Sequence, residues 1–552
     1  MIGFVSGSGF AEKPAMDGLR KCLTEEFSSI YVLNLRGDIR KNMLSKGRAK
    51  EGQNIFGSGS MTGIAITLFV KNPDSKQHGQ IYHHNIGDDM SREDKLGKIN
   101  SFTGISGISA IGGWQTIVPD QHGDWLNLRD DRFSKYLVLG DKKGDALKLF
   151  DNFSLGVVTN RDAWCYSTSE TAVTVNMTRM IDFYNSEAMR FTQTFAGVNR
   201  KVREAKVEGF INTDPTQISW TRALKQEVVK NRRFAFDASS LTPSLYRPFT
   251  KRWLYFNRRF NEMVYQMPRI FPDAMAENLV IFINGKGSRN GITALISDAL
   301  VDLNALEAGS QCFPLYLYDE PKTETPDEPD FFANPTPTKG ERKRRDALTD
   351  TGLAHFLVAY PGETISKEDV FYYVYGLLHS PDYRERYADN LNKELPRIPC
   401  VQTAADFWAF SKAGRALAEL HLNYETVLPY PVKIDSGGKI LTDADYRVEK
   451  MKYGKKDKDK DLTTLHYNDK ITLTGIPLEA YDYIVNGKPA LDWVVERQCV
   501  KTDKDSGIIN DANDWAVDTM KNPRYPLELF QRVITVSLET MKIVSSLPGL
   551  EI

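Results

Sequence analysis

Between Trp220 and Phe260 stand ten basic residues, Arg222, Lys225, Lys230, Arg232, Arg233, Arg247, Lys251, Arg252, Arg258 and Arg259, against two acidic ones, Glu227 and Asp237, a local net of +8. Tyr246, Phe249, Trp253, Tyr255, Phe256 and Phe260 are interleaved with its second half. Guanidinium and ammonium groups hold phosphates or hydrogen-bond to base edges, and aromatic rings stack on unpaired bases. A second basic turn, GKGSRNG at 285–291, sets Lys286, Arg289 and Asn290 among glycines that let a backbone approach a phosphate closely. Its spacing is not GxxxxGK[ST], so it is no nucleotide-hydrolysing loop.

Other motifs are silent on catalysis. The loop IFGSGSMTG at 55–63 precedes a strand, whereas a dinucleotide or S-adenosylmethionine turn follows one and opens a helix. NPPY and DPPY do not occur, and NPTP at 334–337 reads as a turn. His83 and His84 beside Asn85 have no second ligand cluster and read as a solvated loop or strand end. Cys22, Cys165, Cys312, Cys400 and Cys499 are scattered, with no CxxC pair, which excludes a disulfide framework or zinc knuckle. There is no GxSxG, HExxH or strand-borne DxD, and PDYRER at 381–386 reads as a helix start.

The elements that position these residues follow from periodicity. Met1–Phe10 reads as a strand running into a small-residue turn, Met16–Phe27 as an amphipathic helix, and Ser29–Leu35 and Ile64–Val70 as β-branched strands. Three strands and one helix cannot close a doubly wound layer, so the pattern predicts further strands before residue 1. A glycine-punctuated connector is expected over 79–144, then mixed strands and helices to about 314. A proline-rich acidic linker follows over 318–346, then helices at 367–395, 404–422 and 527–547, and a charged hairpin tip at 450–461.

The whole chain has 552 residues and a formal charge of -1, which argues against a tail-driven polyanion binder but leaves room for a local basic face. No stretch approaches the run of about 18 apolar residues that a membrane span needs, and a cytoplasmic protein is expected.

Several long runs carry a resemblance. They are AMDGLR at 15–20 with IYVLNLRG at 30–37, residues 55–70 with the KNP that follows, YRPFTKRWLYFNRRFNEMVYQMPRIF at 246–271, YGLLHSPDYRERYADNLNKELPRIP at 375–399, and the segment 485–515. Together they span nearly the whole chain, which resembles the C-terminal portion of Type ISP restriction-modification enzymes. Such enzymes join an Mrr-like nuclease, an ATP-driven translocase of helicase type, an adenine-N6 methyltransferase and a target recognition domain in one polypeptide.

The resemblance implies an α/β fragment, the last strands of a Rossmann-like methyltransferase sheet, over 1–75, and a connector over 76–150. A mixed α+β specificity region would follow, with the basic-aromatic segment in a target recognition domain over 151–345 and a helical C-terminal part over 346–552. It implies bacterial defence, double-stranded DNA as partner, and upstream methyltransferase, helicase and nuclease domains. S-adenosylmethionine, ATP and Mg2+ would serve the parent enzyme, with no cofactor or metal for this fragment and no catalytic residue in it. The expected DNA contacts are Arg247, Lys251, Arg252, Asn257, Arg258 and Arg259, then Lys286, Arg289 and Asn290. Phe56 matches the place from which such methyltransferases touch the extruded base. The alternatives are a self-contained adenine methyltransferase of unusual motif order and a non-catalytic scaffold that docks an acidic protein surface.

Overall fold

The computed structural model describes residues 1–39, 50–57, 60–142, 144, 147–320, 342–457 and 459–552. It is a mixed α+β chain of several small sheets with helical segments, and it divides into two compact units. The first is Met1–Tyr136 with Lys286–Ile292 and Arg384–Arg397; the second is Leu137–Gly285, Thr293–Tyr383 and Ile398–Ile552. No helix among the described residues is long and apolar enough to cross a membrane.

The first unit has the strand, helix, strand, strand order that its periodicity predicts: β1 (Ile2–Gly7), α1 (Asp17–Glu26), β2 (Ser29–Arg36) and β3 (Ile64–Val70). β3 lies between β1 and β2, antiparallel to both, with Ile2 opposite Phe69 and Ile30 opposite Phe69. The expected connector contributes to the same sheet. β4 (Gln80–Asn85) pairs parallel with β2, and β5 (Gln115–Ile117) runs antiparallel on β4, so the unit runs past residue 75 to Tyr136. His83 and His84 lie near the end of strand β4, but His83 is buried rather than solvated, and burial lowers its pKa. Among the described residues no group of His, Cys, Asp or Glu is arranged to hold a metal ion.

Alternation along the strands builds a core on each face. Ile30, Val32, Ala65 and Phe69 pack with Phe27 and Trp125 on one side. Leu33, Leu35 and Ile64 pack with Phe102 and Ile108 from α2 (Arg92–Phe102) and α3 (Ile105–Ala110) on the other.

In the second unit, Tyr166–Ser167 (β6), Leu241–Arg247 (β7), Thr250–Tyr255 (β8) and Leu300–Val301 form one sheet, with β7 and β8 a hairpin at its centre. A separate antiparallel sheet places Val280–Ile283 between Ala294–Ser297 and Gln311–Pro314. Three helices accompany the first sheet: α4 (Glu170–Thr194), α5 (Arg200–Phe210) and α6 (Arg222–Val229). Each is started by a side-chain cap, Ser169, Asn199 and Thr221, whose oxygen accepts an orphan backbone N–H. Within the expected linker, residues 321–341, including NPTP, lie outside the described residues, and its two ends pair as strands Tyr316–Asp319 and Lys343–Asp346.

The helical block is closely packed. α7 (Lys367–His379) begins with a Ser366–Asp369 capping box, and every residue from Val370 to His379 is buried. It crosses α8 (Ala404–Leu422) through two glycines. A Cβ on Gly376 would stand 2.2 Å from the Phe410 carbonyl oxygen, and one on Gly414 would stand 1.9 Å from that of Tyr372. Inside, the His421 ring meets Tyr375 Oη at 2.6 Å through Nδ1 and Thr540 Oγ1 at 2.9 Å through Nε2. Burial pushes its pKa down to about 3, so the imidazole is neutral. The amphipathic pattern at the C-terminus becomes the helix Tyr525–Ser545, and the charged tip at 450–461 becomes the hairpin of Lys452–Lys456 and Asp459–His466.

Candidate nucleic-acid interface

The basic-aromatic segment separates into a core and a coat. Phe249, Tyr255 and Phe260 are almost wholly buried, and Tyr246 is buried with its hydroxyl donating to Asp162 at 3.0 Å. Trp253 is half-buried against Trp515 and donates its indole N–H to Thr519 Oγ1 at 3.0 Å. Of the two readings open to these rings, stacking on unpaired bases or forming a core coated by the charges, the burial favours the second: they fill the body around β7 and β8, because large rings gain most by leaving water.

The cations sort by the partners that the fold brings to them. Arg247 is 12% exposed, bonded to Asp302 at 2.7 Å and 4.0 Å from Asp162. Lys251 is bound to Glu425 at 3.0 Å with Asp298 at 3.8 Å. Both expected DNA contacts are therefore committed to internal ion pairs. Asn257 is spent on its own turn, its Oδ1 accepting from the Arg259 backbone at 2.9 Å. Asp302 is nearly inaccessible, and burial raises its carboxyl to about 6 in spite of the Arg247 charge.

A different group faces outward. Arg258 is exposed, as are Arg222 and Arg233, and none of the three has an acidic partner among the described residues. Arg259 and Arg232, each about half exposed, share Glu227 at 3.7 and 3.2 Å, and Lys230 joins them at 2.8 Å. Burial alone would raise the Glu227 carboxyl, but the Lys230 hydrogen bond and the charges of Lys230, Arg232 and Arg259 hold it below the usual carboxylate range. Its side chain, 8% exposed, ties the turn after α6 to the turn after β8, so one buried carboxylate gathers cations from two separate turns. Beside β7 runs a groove of about 790 Å³ with Ser240, Thr242, Phe256, Met275 and Arg342 among its walls. Hydroxyls, a guanidinium and an aromatic edge are groups that hydrogen-bond and pack against base edges and phosphates.

The second predicted cluster belongs to the other unit. The 285–291 turn uses Gly287 and Gly291 at φ +77° and +71°, and the Gly287 N–H donates to the Asn392 carbonyl at 2.8 Å. Lys286 and Arg289 are exposed and Asn290 is half-buried. Phe56, in the same unit, is 60% exposed and so does not plug the sheet edge.

The loop that presents Phe56 is built from buried polar groups that no local pattern announces. Asn54 donates through Nδ2 to the carbonyls of Gly37 and Thr62, both at 2.9 Å, and accepts the Phe56 N–H at 3.0 Å. Lys95, with no exposed surface, donates to the carbonyls of Glu51 at 3.0 Å and Gln53 at 2.7 Å, and burial pulls its pKa below the ordinary lysine range. Residues 58 and 59 of this loop lie outside the described residues.

Residues 148–529 match the family of the Type ISP C-terminal specificity domain. The chain belongs to that family. Among solved structures, this Type ISP chain is similar over its full length to a nuclease-deletion mutant of the Type ISP restriction-modification enzyme LlaGI in complex with a DNA substrate mimic, at 38% identity and a TM-score of 0.80. It is similar in the same way to the ATP-dependent Type ISP enzyme LlaBIII bound to DNA, at 35% and 0.80, and to DrdV in a DNA complex, at 30% and 0.77. It spans 46%, 33% and 50% of those three chains, half their length or less. A search of curated proteins finds no match.

Proposed function

We propose that this chain is the sequence-reading part of a Type ISP restriction-modification enzyme, with its second unit binding a short asymmetric site in double-stranded DNA. The observation that carries this reading is the set of exposed arginines without an acidic partner among the described residues, Arg222, Arg233 and Arg258, the last two adjacent in sequence to Arg232 and Arg259, which share Glu227, in a family whose solved relatives hold DNA. Arg258, Arg259 and Arg252 then contact DNA, with Lys286, Arg289 and Asn290 contacting it from the first unit, while Arg247, Lys251 and Asn257 shape the surface. The test is fluorescence anisotropy with duplexes of varied sequence across a salt series. A phosphate contact, removed by alanine, weakens every duplex and lowers the salt slope by about one; a base contact relaxes one position and costs about 1–3 kcal/mol there. Absence of duplex binding, with retention of an acidic protein partner, would favour the scaffold reading instead.

The first unit, in the same proposal, is the closing part of an adenine-N6 methyltransferase sheet. Its support is the insertion of β3 between β1 and β2 together with the raw state of β1, where Ile2, Phe4 and Val5 are 48%, 52% and 58% exposed. A strand with apolar side chains on both faces is stable only inside a layer, so β1 takes its missing cover from the methyltransferase strands and helices of the longer enzyme. Phe56 then stands where an extruded adenine is held. In the full-length enzyme, Phe56→Ala should reduce methylation and the fluorescence of an extruded 2-aminopurine with little change in DNA affinity; unchanged extrusion would remove the assignment.

The sequence motifs and the described residues of this chain offer no match to the parent's cofactors. The 55–63 loop precedes its strand, no phosphate-binding GxxxxGK[ST] occurs, and no metal-ligating group exists among the described residues. S-adenosylmethionine, ATP and Mg2+ are assigned to the rest of the enzyme. Saturable binding of S-adenosylmethionine to this chain by calorimetry would favour the self-contained methyltransferase.

A further inference from the structure

The second unit holds a second cationic feature of different construction. Tyr246 on β7 carries two guanidinium groups, Arg247 at 3.9 Å and Arg252 at 4.3 Å from its ring centre. A third, Arg497, ends the helix Ala490–Arg497, which packs on β8, and its charge reaches Arg252. Two carboxylates face this group. Asp302 is taken by Arg247 at 2.7 Å, and Asp162 accepts the Tyr246 hydroxyl and stands 4.0 Å from Arg247.

Arg252 and Arg497 are compensated less: the Asp162 charge favours Arg252 without an ion pair or hydrogen bond, and Arg497 stands 5.7 Å from the Trp493 ring centre. Among the described residues, no hydrogen bond or ion pair holds either guanidinium, and the Nε of each is buried without a partner. Burial and the like charges of Arg497 and Arg247 depress the Arg252 pKa against the opposing pull of Tyr246 and Asp162, which expresses the same imbalance. Removing a cation from water without a counter-charge costs folding free energy, and the Tyr246 face returns only part of it. A neutral base edge would satisfy donors but leave the charge. An oxyanion satisfies both, and the planar fork of arginine matches phosphate oxygens two at a time.

We propose that Arg252 and Arg497, with Tyr246 as the floor, form a binding site for one phosphate group, supplied in the working enzyme by a phosphodiester of the DNA backbone. The identity of that source rests on the DNA-binding reading above; the anion site itself does not. Arg497 lies 237 positions beyond the last residue of the basic segment, so the site is assembled only by the fold.

Two measurements on the full chain separate the cases. Thermal unfolding is followed in phosphate-free buffer and with added inorganic phosphate, for the wild type, Arg252→Gln, Arg497→Gln and Arg252→Lys. Phosphate should raise the wild-type midpoint and leave that of Arg252→Gln in place. Without phosphate, Arg252→Gln should unfold at or above the wild-type temperature, because a charge without an ion pair has been removed. A drop in that midpoint, with the same phosphate response in both proteins, means a structural arginine and overturns the site. In the duplex arm, Arg252→Gln and Arg497→Gln should each weaken cognate and unrelated duplexes alike, about 3- to 10-fold, and lower the salt slope by about one. Arg252→Lys, which keeps the charge, should restore most of that slope. Weakening confined to one base pair would make Arg252 a base reader and overturn the phosphate assignment. A wild-type chain that answers to phosphate but binds no duplex would sink the DNA reading and leave the anion site standing.

Discussion

The two units are finished to different degrees. In the second, the α7 and α8 backbones touch through Gly376 and Gly414, and His421 satisfies both ring nitrogens in the dark. In the first, the β1 strand is exposed along its whole length, and hollows of about 330 and 490 Å³ open on the two faces of the sheet. Tyr31, Leu33, Ile66 and Trp114 line one of them and Phe4, Leu19, Leu23 and Phe69 the other. Apolar walls of that kind are what the proposed methyltransferase layer would cover. The second unit has closed its core and presents charge to the outside, whereas the first presents core.

That contrast fixes the expected size of substitutions. The largest belongs to Gly414→Ala, where a methyl must stand within 2 Å of a carbonyl oxygen; a loss above about 3 kcal/mol is expected in urea unfolding of the second unit. A near-neutral result would show that the helix crossing is not closed. Next is His421→Gln, which should cost about 2–4 kcal/mol at pH 7 by leaving Tyr375 or Thr540 poorly paired. Because the folded imidazole titrates near 3 and the unfolded one near 6.5, the unfolded chain binds the extra proton between those values. Wild-type stability therefore falls as pH drops through that window, and the gap to the variant should narrow toward pH 4.

Asp302 runs the other way. Its carboxyl titrates near 6 when folded and 3.8 otherwise, so the folded chain holds the extra proton between those values. The stability of the wild type relative to Asp302→Asn should fall by about 1–3 kcal/mol as pH rises from 4 to 6 and then level off. Flat behaviour would mean that the Arg247 pair is solvated. The smallest effect is expected in the first unit. Phe4→Thr and Val5→Thr, half exposed on β1, should change the stability of this chain by less than about 1 kcal/mol. A loss of the size seen for buried aromatics would show that β1 is already covered and would erase the contrast.

Much of the framework was legible from periodicity. The strand, helix, strand, strand opening, the helix Ala404–Leu422 and the charged hairpin stand close to where the residue pattern puts them, because each depends on neighbours a few positions away. The joining of β4 and β5 to the first sheet was not legible, since pairing Ile30 with Ile81 is a contact that no local signal encodes. The candidate site divided in the same way. The +8 segment was visible as composition, but which of its cations are exposed, as Arg258 is, was not.

The sequence by itself determined where positive charge and aromatic mass are concentrated, which elements carry them, and the family likeness of the whole chain. The tertiary structure alone decided which charges are available. Lys251 is matched by Glu425 and Arg247 by Asp302, whereas Arg252 feels the like charge of Arg497 and has no ion pair among the described residues. Charges at such separations along the chain meet only after the core has formed, and the energy of an ion is set by what surrounds it in space.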